Sequence, residues 1–486
     1  MSNCKSGSHL LGRLAERLEQ GVGLRLNGIS PESLERLMPL VNTVASPDRL
    51  STLTGMLKRL ATPKLIDRIV DINSRSQSCC PEESVNHRFV TRYLDVSKGS
   101  RGRAFVSNYL SSLETRRANE LVSSFARIAL TGTLRHSLLS RRKAKLGAPA
   151  TILNEVQLAL YSGCNLHCVG CYTREQRGGL QGRASRETIE YLVDQAAING
   201  AFAVHIVGHG EPFASMEQAF ELLEIVAARP HLMFTVITNG ILMPDALARR
   251  IAELSNLLLF VSIDGPRELH DQRRGIGTHD KAMEAVRRLS GVSAPVGFSS
   301  TVTRLNRETV TSGDFVSDMA AAGCVLGGYS RYFPLSPEAS KTLLLSREDI
   351  RRHVSAFEDL EESSPIPLMD LDEIEKHTGC RSRAGLTVYI DGLTGQVTPC
   401  IRSPFAPAAC RVDRHGGGGL AQILAHPFFV HYRRETETCR PWCGENPVRE
   451  FSAVEAELAA FGESAAEAAR YRARWECEDD KELLSL

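Results

Sequence analysis

The segment 160-LYSGCNLHCVGCYT-173 places three cysteines within eight positions, at Cys164, Cys168 and Cys171. It follows the apolar run EVQLALY, so the cysteines are expected on the loop after a strand. Thiolates are soft ligands that suit zinc or an iron–sulfur cluster. A structural zinc site takes four protein ligands, and His167 is the one further donor nearby. Three thiolates on one loop therefore indicate a metal site with one open position, where a substrate or cofactor can bind.

From residue 152 to about 332, strand-like apolar runs alternate with amphipathic helical segments. The strand-like runs are EVQLALY, FAVHIVG, MFTVIT, LLLFVSI, VGFSSTV and CVLGGYS. Such alternation is typical of a parallel sheet with helices packed outside it. Six strands form either an open sheet or a partial barrel, and we predict an α/β fold built on a partial (β/α)6 TIM-like barrel. Ligands are then expected at the carboxyl ends of the strands.

Four further regions flank this predicted core. Residues 1–145 contain repeated Ser/Thr-Pro helix starts followed by apolar residues at helical spacing, which predicts an all-helical N-terminal domain. Residues 333–375 are predicted to form a linker with a helix. Residues 376–450 are predicted to form a small cysteine-rich domain with a hairpin and a helix, and residues 451–486 a C-terminal helix.

The composition is that of a soluble globular protein. The 486 residues are 42% hydrophobic and 24% charged, and a chain of this length buries a large core without disulfides. The N-terminal residues are polar and basic, and no apolar run is long enough to span a bilayer, so we expect neither a signal peptide nor a transmembrane segment. We predict a cytoplasmic protein, in which thirteen cysteines indicate metal ligation.

The net charge of +1 conceals an uneven distribution. Residues 1–150 carry 24 Lys and Arg residues but only 12 Asp and Glu residues. This excess favours contact with an acidic partner, such as a peptide, a nucleic acid or a membrane surface. A basic helical face exposed to solvent explains the same pattern, and the sequence does not separate the two.

The C-x3-C-x2-C spacing on the loop after the first strand resembles the radical S-adenosylmethionine (SAM) superfamily. The resemblance implies that Cys164, Cys168 and Cys171 hold a 4Fe–4S cluster, and that SAM chelates the fourth iron. One electron, from a flavodoxin- or ferredoxin-type donor, then cleaves SAM to methionine and a 5′-deoxyadenosyl radical. That radical abstracts a hydrogen atom from the substrate.

Three more motifs occur at strand ends, in the order that this family shows. They are GHGEP (208–212), TNG (238–240) and SIDGP (262–266), the last running into HDQRRG (270–275). GHGEP is similar to the family's G-G-E-P motif, whose carboxylate accepts from the SAM ammonium. A planar guanidinium suits the SAM carboxylate. The resemblance thus implies SAM contacts by Gly210, Glu211, Pro212, Asn239, Ser262 and Arg274.

A second cysteine group resembles the auxiliary-cluster extension of the SPASM/Twitch subgroup. Cys380 and Cys400 flank a predicted hairpin, and Cys439-x3-Cys443 follows downstream. The resemblance implies an auxiliary 4Fe–4S cluster on these four cysteines, in the shorter one-cluster form. Cys410 or Cys477 could replace one ligand. A Cys4 zinc ribbon is the alternative.

The motifs described above do not include a catalytic residue. Sulfatase-maturing relatives carry an aspartate after the cysteine that matches Cys400, where this chain has Ile401. Asp391 and Tyr389 on the hairpin are weaker candidates for a proton acceptor, and packing and turn formation are their simpler roles.

The leading hypothesis is a radical SAM enzyme that modifies a peptide or protein. The alternative is a dehydrogenase or rearrangement enzyme that acts on a small metabolite or natural-product intermediate. A hypothesis of another class is a non-enzymatic metal-cluster module that docks an acidic partner through the basic N-terminal region.

Overall fold

The fold is known from a computed structural model, which describes residues 151–171, 182–333, 341–372, 380–401, 406–414 and 419–434, with single residues between 113 and 139. The predicted N-terminal helical domain, apart from those single residues, lies outside the described residues. So do the C-terminal helix and Cys439, Cys443 and Cys477. None of the described helices is both long enough and apolar enough to cross a membrane.

Six parallel strands alternate with helices from residue 155 to residue 331, as the sequence predicts. The strands are β1 (Glu155–Ala159), β2 (Ala203–Ile206), β3 (Met233–Thr238), β4 (Leu257–Ser262), β5 (Val296–Val302) and β6 (Gly327–Arg331). The helices are α1 (Arg186–Ile198), α2 (Met216–Ala227), α3 (Asp245–Ala252), α4 (Arg267–Arg274), α5 (Thr278–Gly291), α6 (Arg307–Val310) and α7 (Gly313–Ala322). Each strand pairs in parallel with the next. The predicted mixed α/β fold of partial-barrel type is confirmed.

Serine caps begin several of the outer helices. The side chain of Ser185 accepts a hydrogen bond from the backbone of Thr188 at the start of α1, and Ser215 does the same for Gln218 at the start of α2. These caps satisfy backbone N–H groups that have no partner inside the helix. The helix starts, and hence the lengths of the loops that carry the motifs, are fixed locally by the sequence.

The strands bury one face more completely than the other. In β3, Phe234 and Val236 are fully buried against the helices, whereas Thr235 and Ile237 on the opposite face are half-buried. Because side chains alternate across a strand, the second face lines the inside of the partial barrel. Gln157, His205 and Thr235 lie side by side on that face.

The sheet extends beyond the six predicted strands in both directions. The segment predicted as a linker with a helix contains α8 (Arg347–Ser363), and also β7 (Leu368–Asp370), which pairs in parallel with β6. At the other edge, β8 (Thr387–Asp391) pairs in parallel with β1 over five residues, and β9 (Val397–Thr398) pairs antiparallel with β8. The short helices α9 (Leu420–Leu424) and α10 (Pro427–Arg434) follow. The cysteine-rich hairpin is therefore continuous with the barrel sheet.

A buried carboxylate joins the amino-terminal ends of these strands. Glu155 on β1 accepts a hydrogen bond from His205 Nε2 at 3.0 Å and forms an ion pair with Arg381. Burial raises the pKa of Glu155, but the charge of Arg381 and the contact with His205 outweigh it and lower the pKa to about 2. The ionised carboxylate thus links β1, β2 and the segment that begins at Cys380.

We expect Glu155→Gln to destabilise the protein by about 3 kcal/mol at pH 7, since a carboxylate pKa lowered from 4.5 to about 2 stabilises the fold when ionised. The stabilisation is complete above pH 4.5 and is lost as the pH falls towards 2. The difference in free energy of unfolding between wild type and variant should therefore shrink with acidification, as measured by denaturant unfolding at pH 7, 4 and 3. Glu268→Gln, at an exposed site, is the matched control. A difference that stays constant down to pH 3 would contradict this assignment.

Candidate active site

The cysteine loop leaves the carboxyl end of β1 and lies against two other segments. The backbone N–H of Val169 donates to the carbonyl of Arg273 at the end of α4, at 2.8 Å. Gly170 has φ +64°, and a Cβ there would lie 2.6 Å from Leu343 Cδ1 and 2.9 Å from Tyr332 Cε2. Only glycine fits this position without displacing its neighbours. Glycine at position 170 is thus required by the close approach of the chain, and the three cysteines are half-buried.

The GHGEP loop after β2 packs directly on the segment that leads into Cys164. The backbone N–H of Glu211 donates to the carbonyl of Gly163 at 2.8 Å. A Cβ on Gly210 would lie 2.3 Å from that carbonyl oxygen and 2.6 Å from the carbonyl oxygen of Tyr161. Gln218 on α2 fixes the far side of the loop, where its Nε2 donates to the carbonyls of Glu211 and Pro212. The predicted site residues Gly210, Glu211 and Pro212 therefore lie beside the cysteine loop.

The carboxylate of Glu211 is buried and accepts three hydrogen bonds. The donors are the backbone N–H groups of Phe213 at 2.9 Å and Asn239 at 2.7 Å, and the hydroxyl of Thr238 at 2.6 Å. All three donors are neutral. Burial raises the pKa of Glu211, although the hydrogen bonds lower it in part. A buried carboxylate of this kind is stabilised by any cation that binds next to it.

Asn239, at the end of β3, links the Glu211 carboxylate to the cysteine loop. Its side-chain amide donates to Asn165 Oδ1 at 2.7 Å and lies 3.9 Å from Cys164 Sγ. The structure thus brings together Asn239, Glu211 and Cys164, which are far apart in the sequence but were all predicted as site residues.

After β4, two arginines converge on one buried carboxylate. Asp264 is fully buried and accepts hydrogen bonds from Arg273 Nη1 at 2.6 Å and Arg274 Nε at 2.5 Å. Burial raises the pKa of Asp264, but the two guanidinium groups outweigh it and hold the pKa far below its usual range. The same arginines lie close to Cys168. Burial raises the pKa of this thiol, and the positive charges of the two arginines offset part of that rise. Ser262, the last residue of β4, is also buried and lies two positions before Asp264.

The second cysteine group is partly described. The hydroxyl of Ser382 donates to the carbonyl of Pro399, which brings the segments of Cys380 and Cys400 together. The backbone N–H of Ile401 donates to Gln157 Oε1 at 3.3 Å, so this segment reaches the inner face of the barrel. Cys410 is fully buried in the hydrophobic core. Cys439 and Cys443 lie outside the described residues, so their role as the other two ligands, with Cys410 or Cys477 as a substitute for one of them, stays a prediction.

The two predicted proton-acceptor candidates, Asp391 and Tyr389, lie next to His209 of the GHGEP loop. Asp391 Oδ1 accepts from the backbone N–H groups of Leu393 and Thr394 at 2.9 and 3.3 Å, and so shapes the β8–β9 turn. Tyr389 is buried. Both side chains face His209, with Asp391 Oδ2 and the Tyr389 hydroxyl lying 3.3 and 3.4 Å from His209 Nε2.

The donor set fits a cluster with SAM, because three thiols lie on one loop beside the buried carboxylate of Glu211. Within the described ranges, no three Cys, His, Asp or Glu side chains converge on a single ion position. A carboxylate offers about four acceptor positions, of which Glu211 uses three, so one position is left for an ammonium group.

Residues 158–312 match the sequence model of the radical SAM superfamily. This part of the chain is a radical SAM domain. It contains all three cysteines of the loop, and the GHGEP, TNG and SIDGP motifs.

Two relatives and one solved structure illustrate the extent of the similarity. The sporulation killing factor maturation protein SkfB of Bacillus subtilis is 29% identical over 170 residues, which cover 35% of this chain and 40% of SkfB. Fe-coproporphyrin III synthase of Methanosarcina barkeri is 29% identical over 144 residues, covering 29% of this chain and 35% of that protein. The chain thus spans well under half the length of these relatives. The crystal structure of Streptococcus suis SuiB shares the fold, with a TM-score of 0.50 and 14% identity over 73% of this chain and 83% of that one.

Four residues of the radical SAM domain were not singled out from the sequence. They are His209, Gln218, Asp264 and Arg273. Three of them lie one or two positions from a predicted site residue, and Gln218 lies on the following helix, α2. Asp264 followed by Arg273 and Arg274 gave a usable signal, since a strand-end carboxylate before two arginines suggests a buried ion pair. Gln218 gave none, because a glutamine in the first turn of a helix is ordinary.

We expect Gly210→Ala to lose most of its SAM binding and part of its iron loading, because the new methyl group would overlap the carbonyls of Tyr161 and Gly163. Gly163→Ala is the matched control, since a Cβ there has no atom within 4 Å. The checks are iron content after anaerobic reconstitution and SAM retention in equilibrium dialysis. Equal values for the two alanine variants would show that the close approach is not needed.

Proposed function

We propose that the protein is a radical SAM enzyme that modifies a peptide or protein substrate. The observation that carries the proposal is the convergence, at the carboxyl ends of β1 to β4, of the three-cysteine loop with Glu211, Asn239 and the Asp264–Arg274 pair. The three cysteines offer soft ligands for a cluster. Glu211 and Arg274 lie beside them and suit the ammonium and carboxylate groups of SAM.

The cluster would be held by Cys164, Cys168 and Cys171. When bound, the cluster and SAM supply one-electron cleavage of SAM and removal of a hydrogen atom from the substrate. Glu211 would accept the SAM ammonium at its remaining acceptor position, and the Asn239 amide would orient the loop around Cys164. Arg274 uses its Nε and Nη2 groups on Asp264, which leaves further N–H donors for the SAM carboxylate. Pro212 and Ser262 would line the same edge.

An auxiliary cluster would lie on the hairpin side of the barrel, with Cys380 and Cys400 as two of its ligands and Cys439 and Cys443 as the others. The contact between Ser382 and Pro399 supports this proposal, because it holds the two described cysteine segments together. The contact of Ile401 with Gln157 connects that region to the barrel interior, where a substrate would meet both clusters.

Similarity to SkfB, a maturation protein, supports a peptide or protein substrate. A second candidate is a small molecule, which similarity to Fe-coproporphyrin III synthase favours. Under the first proposal, a peptide encoded beside the gene loses hydrogen atoms when incubated with the reconstituted enzyme, SAM and reductant, as mass spectrometry detects. Under the second, only a small molecule from the host extract is converted.

The proposal includes a cytoplasmic location and a flavodoxin- or ferredoxin-type electron donor. It also includes an acidic partner for the basic N-terminal third, whose charge supports it. Salt dependence tests the last point, since a charge-driven contact weakens steeply as ionic strength rises.

We expect the anaerobically reconstituted protein to form 5′-deoxyadenosine from SAM under dithionite, as measured by mass spectrometry. The Cys164/Cys168/Cys171→Ala triple variant should form none, because it lacks the ligands of the first cluster. A Cys380/Cys400→Ala variant should still form it, since those thiols lie outside the loop. No 5′-deoxyadenosine from wild type with verified iron and sulfide content would refute the proposed function and favour a non-enzymatic metal module.

SAM affinity should fall as the pH decreases, because the ammonium needs an ionised Glu211 and burial raises the pKa of this group. Glu211→Gln should bind SAM at least tenfold more weakly at pH 8 and lose the pH dependence, as equilibrium dialysis without reductant would show. An unchanged pH dependence in the glutamine variant would assign the titration to another group.

A further inference from the structure

His209 occupies a backbone conformation that favours glycine. Its φ is +40°, and it is one of two non-glycine residues with positive φ among those described. It lies directly before Gly210, and its side chain is buried. A non-glycine residue is held in this region only when its surroundings determine the conformation, and such residues concentrate at functional sites.

The side chain of His209 contacts the hairpin formed by β8 and β9 (residues 387–398), which we call the auxiliary hairpin. Its Nε2 lies 3.3 Å from Asp391 Oδ2 and 3.4 Å from the Tyr389 hydroxyl. Burial raises the pKa of Asp391, but the contact with His209 and the hydrogen bonds within the turn together outweigh it and lower the pKa. An ionised carboxylate only accepts, so a hydrogen bond between the two side chains requires the hydrogen on His209 Nε2. Asp391 is itself fixed by the backbone of the turn.

The residue before His209 meets the same hairpin. Gly208 has φ +100°, and a Cβ there would lie 3.0 Å from the Tyr389 hydroxyl oxygen and 3.3 Å from Ala159 Cβ. Two consecutive residues in left-handed backbone conformations thus face β8, and the next residue, Gly210, packs on the carbonyls before Cys164. The GHGEP loop thus lies between β8 and the segment that leads into the cysteine loop.

We propose that His209 is a positioning residue, which Asp391 and Tyr389 of the auxiliary hairpin hold so that the GHGEP loop is fixed for SAM. This inference rests on the proposed function for its ligand. It gives Asp391 a role other than proton acceptor: its carboxylate is used on His209 and on its own turn. It also connects the hairpin that carries the second cysteine group to the loop that meets the first.

The test uses full-length, anaerobically reconstituted protein and two readouts. The first is the SAM dissociation constant without reductant, and the second is amide hydrogen exchange of residues 208–214 without SAM. His209→Gly removes the side chain but suits the backbone conformation, Asp391→Ala removes the partner, and His209→Gln retains a donor near the position of Nε2. The matched control is His205→Asn, which breaks a histidine–carboxylate contact four residues earlier on the same chain segment.

We expect His209→Gly and Asp391→Ala to weaken SAM binding roughly tenfold, as loss of a partner that orients a ligating group does. Both should speed exchange in the loop. The effects of the two substitutions should be less than additive in the double variant, because each single variant already removes the contact between His209 and Asp391. His209→Gln should recover most of the affinity, and His205→Asn should retain it.

SAM binding by His209→Gly as tight as that of wild type would overturn the inference, since the backbone conformation alone would then suffice. Unchanged exchange in Asp391→Ala would overturn it as well. Wild type that binds no SAM would instead refute the proposed function. Hydrogen exchange would then decide by itself whether Asp391 holds the loop through His209.

Discussion

The carboxylate of Glu211 is the group on which the arrangement of the site depends. It accepts hydrogen bonds from Phe213, Thr238 and Asn239, while its own backbone N–H donates to Gly163, so three strand ends meet at one residue. A buried carboxylate with only neutral donors costs free energy unless a cation binds beside it. The same residue therefore organises this edge of the sheet and favours a cationic ligand there.

Two other buried carboxylates, Asp264 and Glu155, have charged partners. Asp264 has two arginines and Glu155 has Arg381 and His205, so both stay ionised without a ligand. The contrast with Glu211 separates carboxylates that already have charged partners from one whose hydrogen-bond donors are all neutral. Asp391, which is paired with His209, links the auxiliary hairpin to the GHGEP loop.

The sequence predicted the order of strands and helices and the convergence of the motifs, because periodicity and strand-end position are local signals. It did not predict that β8 would pair with β1, since nothing local in a five-residue strand indicates a partner more than 200 residues away. The strain at His209 was also invisible, because a histidine within GHGEP gives no sign of its backbone angle. The close approach of Gly210 could be inferred only from the resemblance.

We infer that the three-cysteine loop leaves one iron of its cluster for SAM. Electron–nuclear double resonance tests this on the reduced cluster of a Cys380/Cys400/Cys439/Cys443→Ala variant, with SAM labelled with ¹⁵N at its amino group. We predict a ¹⁵N signal from hyperfine coupling between the cluster and that nitrogen. The signal should disappear when unlabelled SAM is used. A loaded, reduced cluster that binds SAM without any such coupling would contradict the claim.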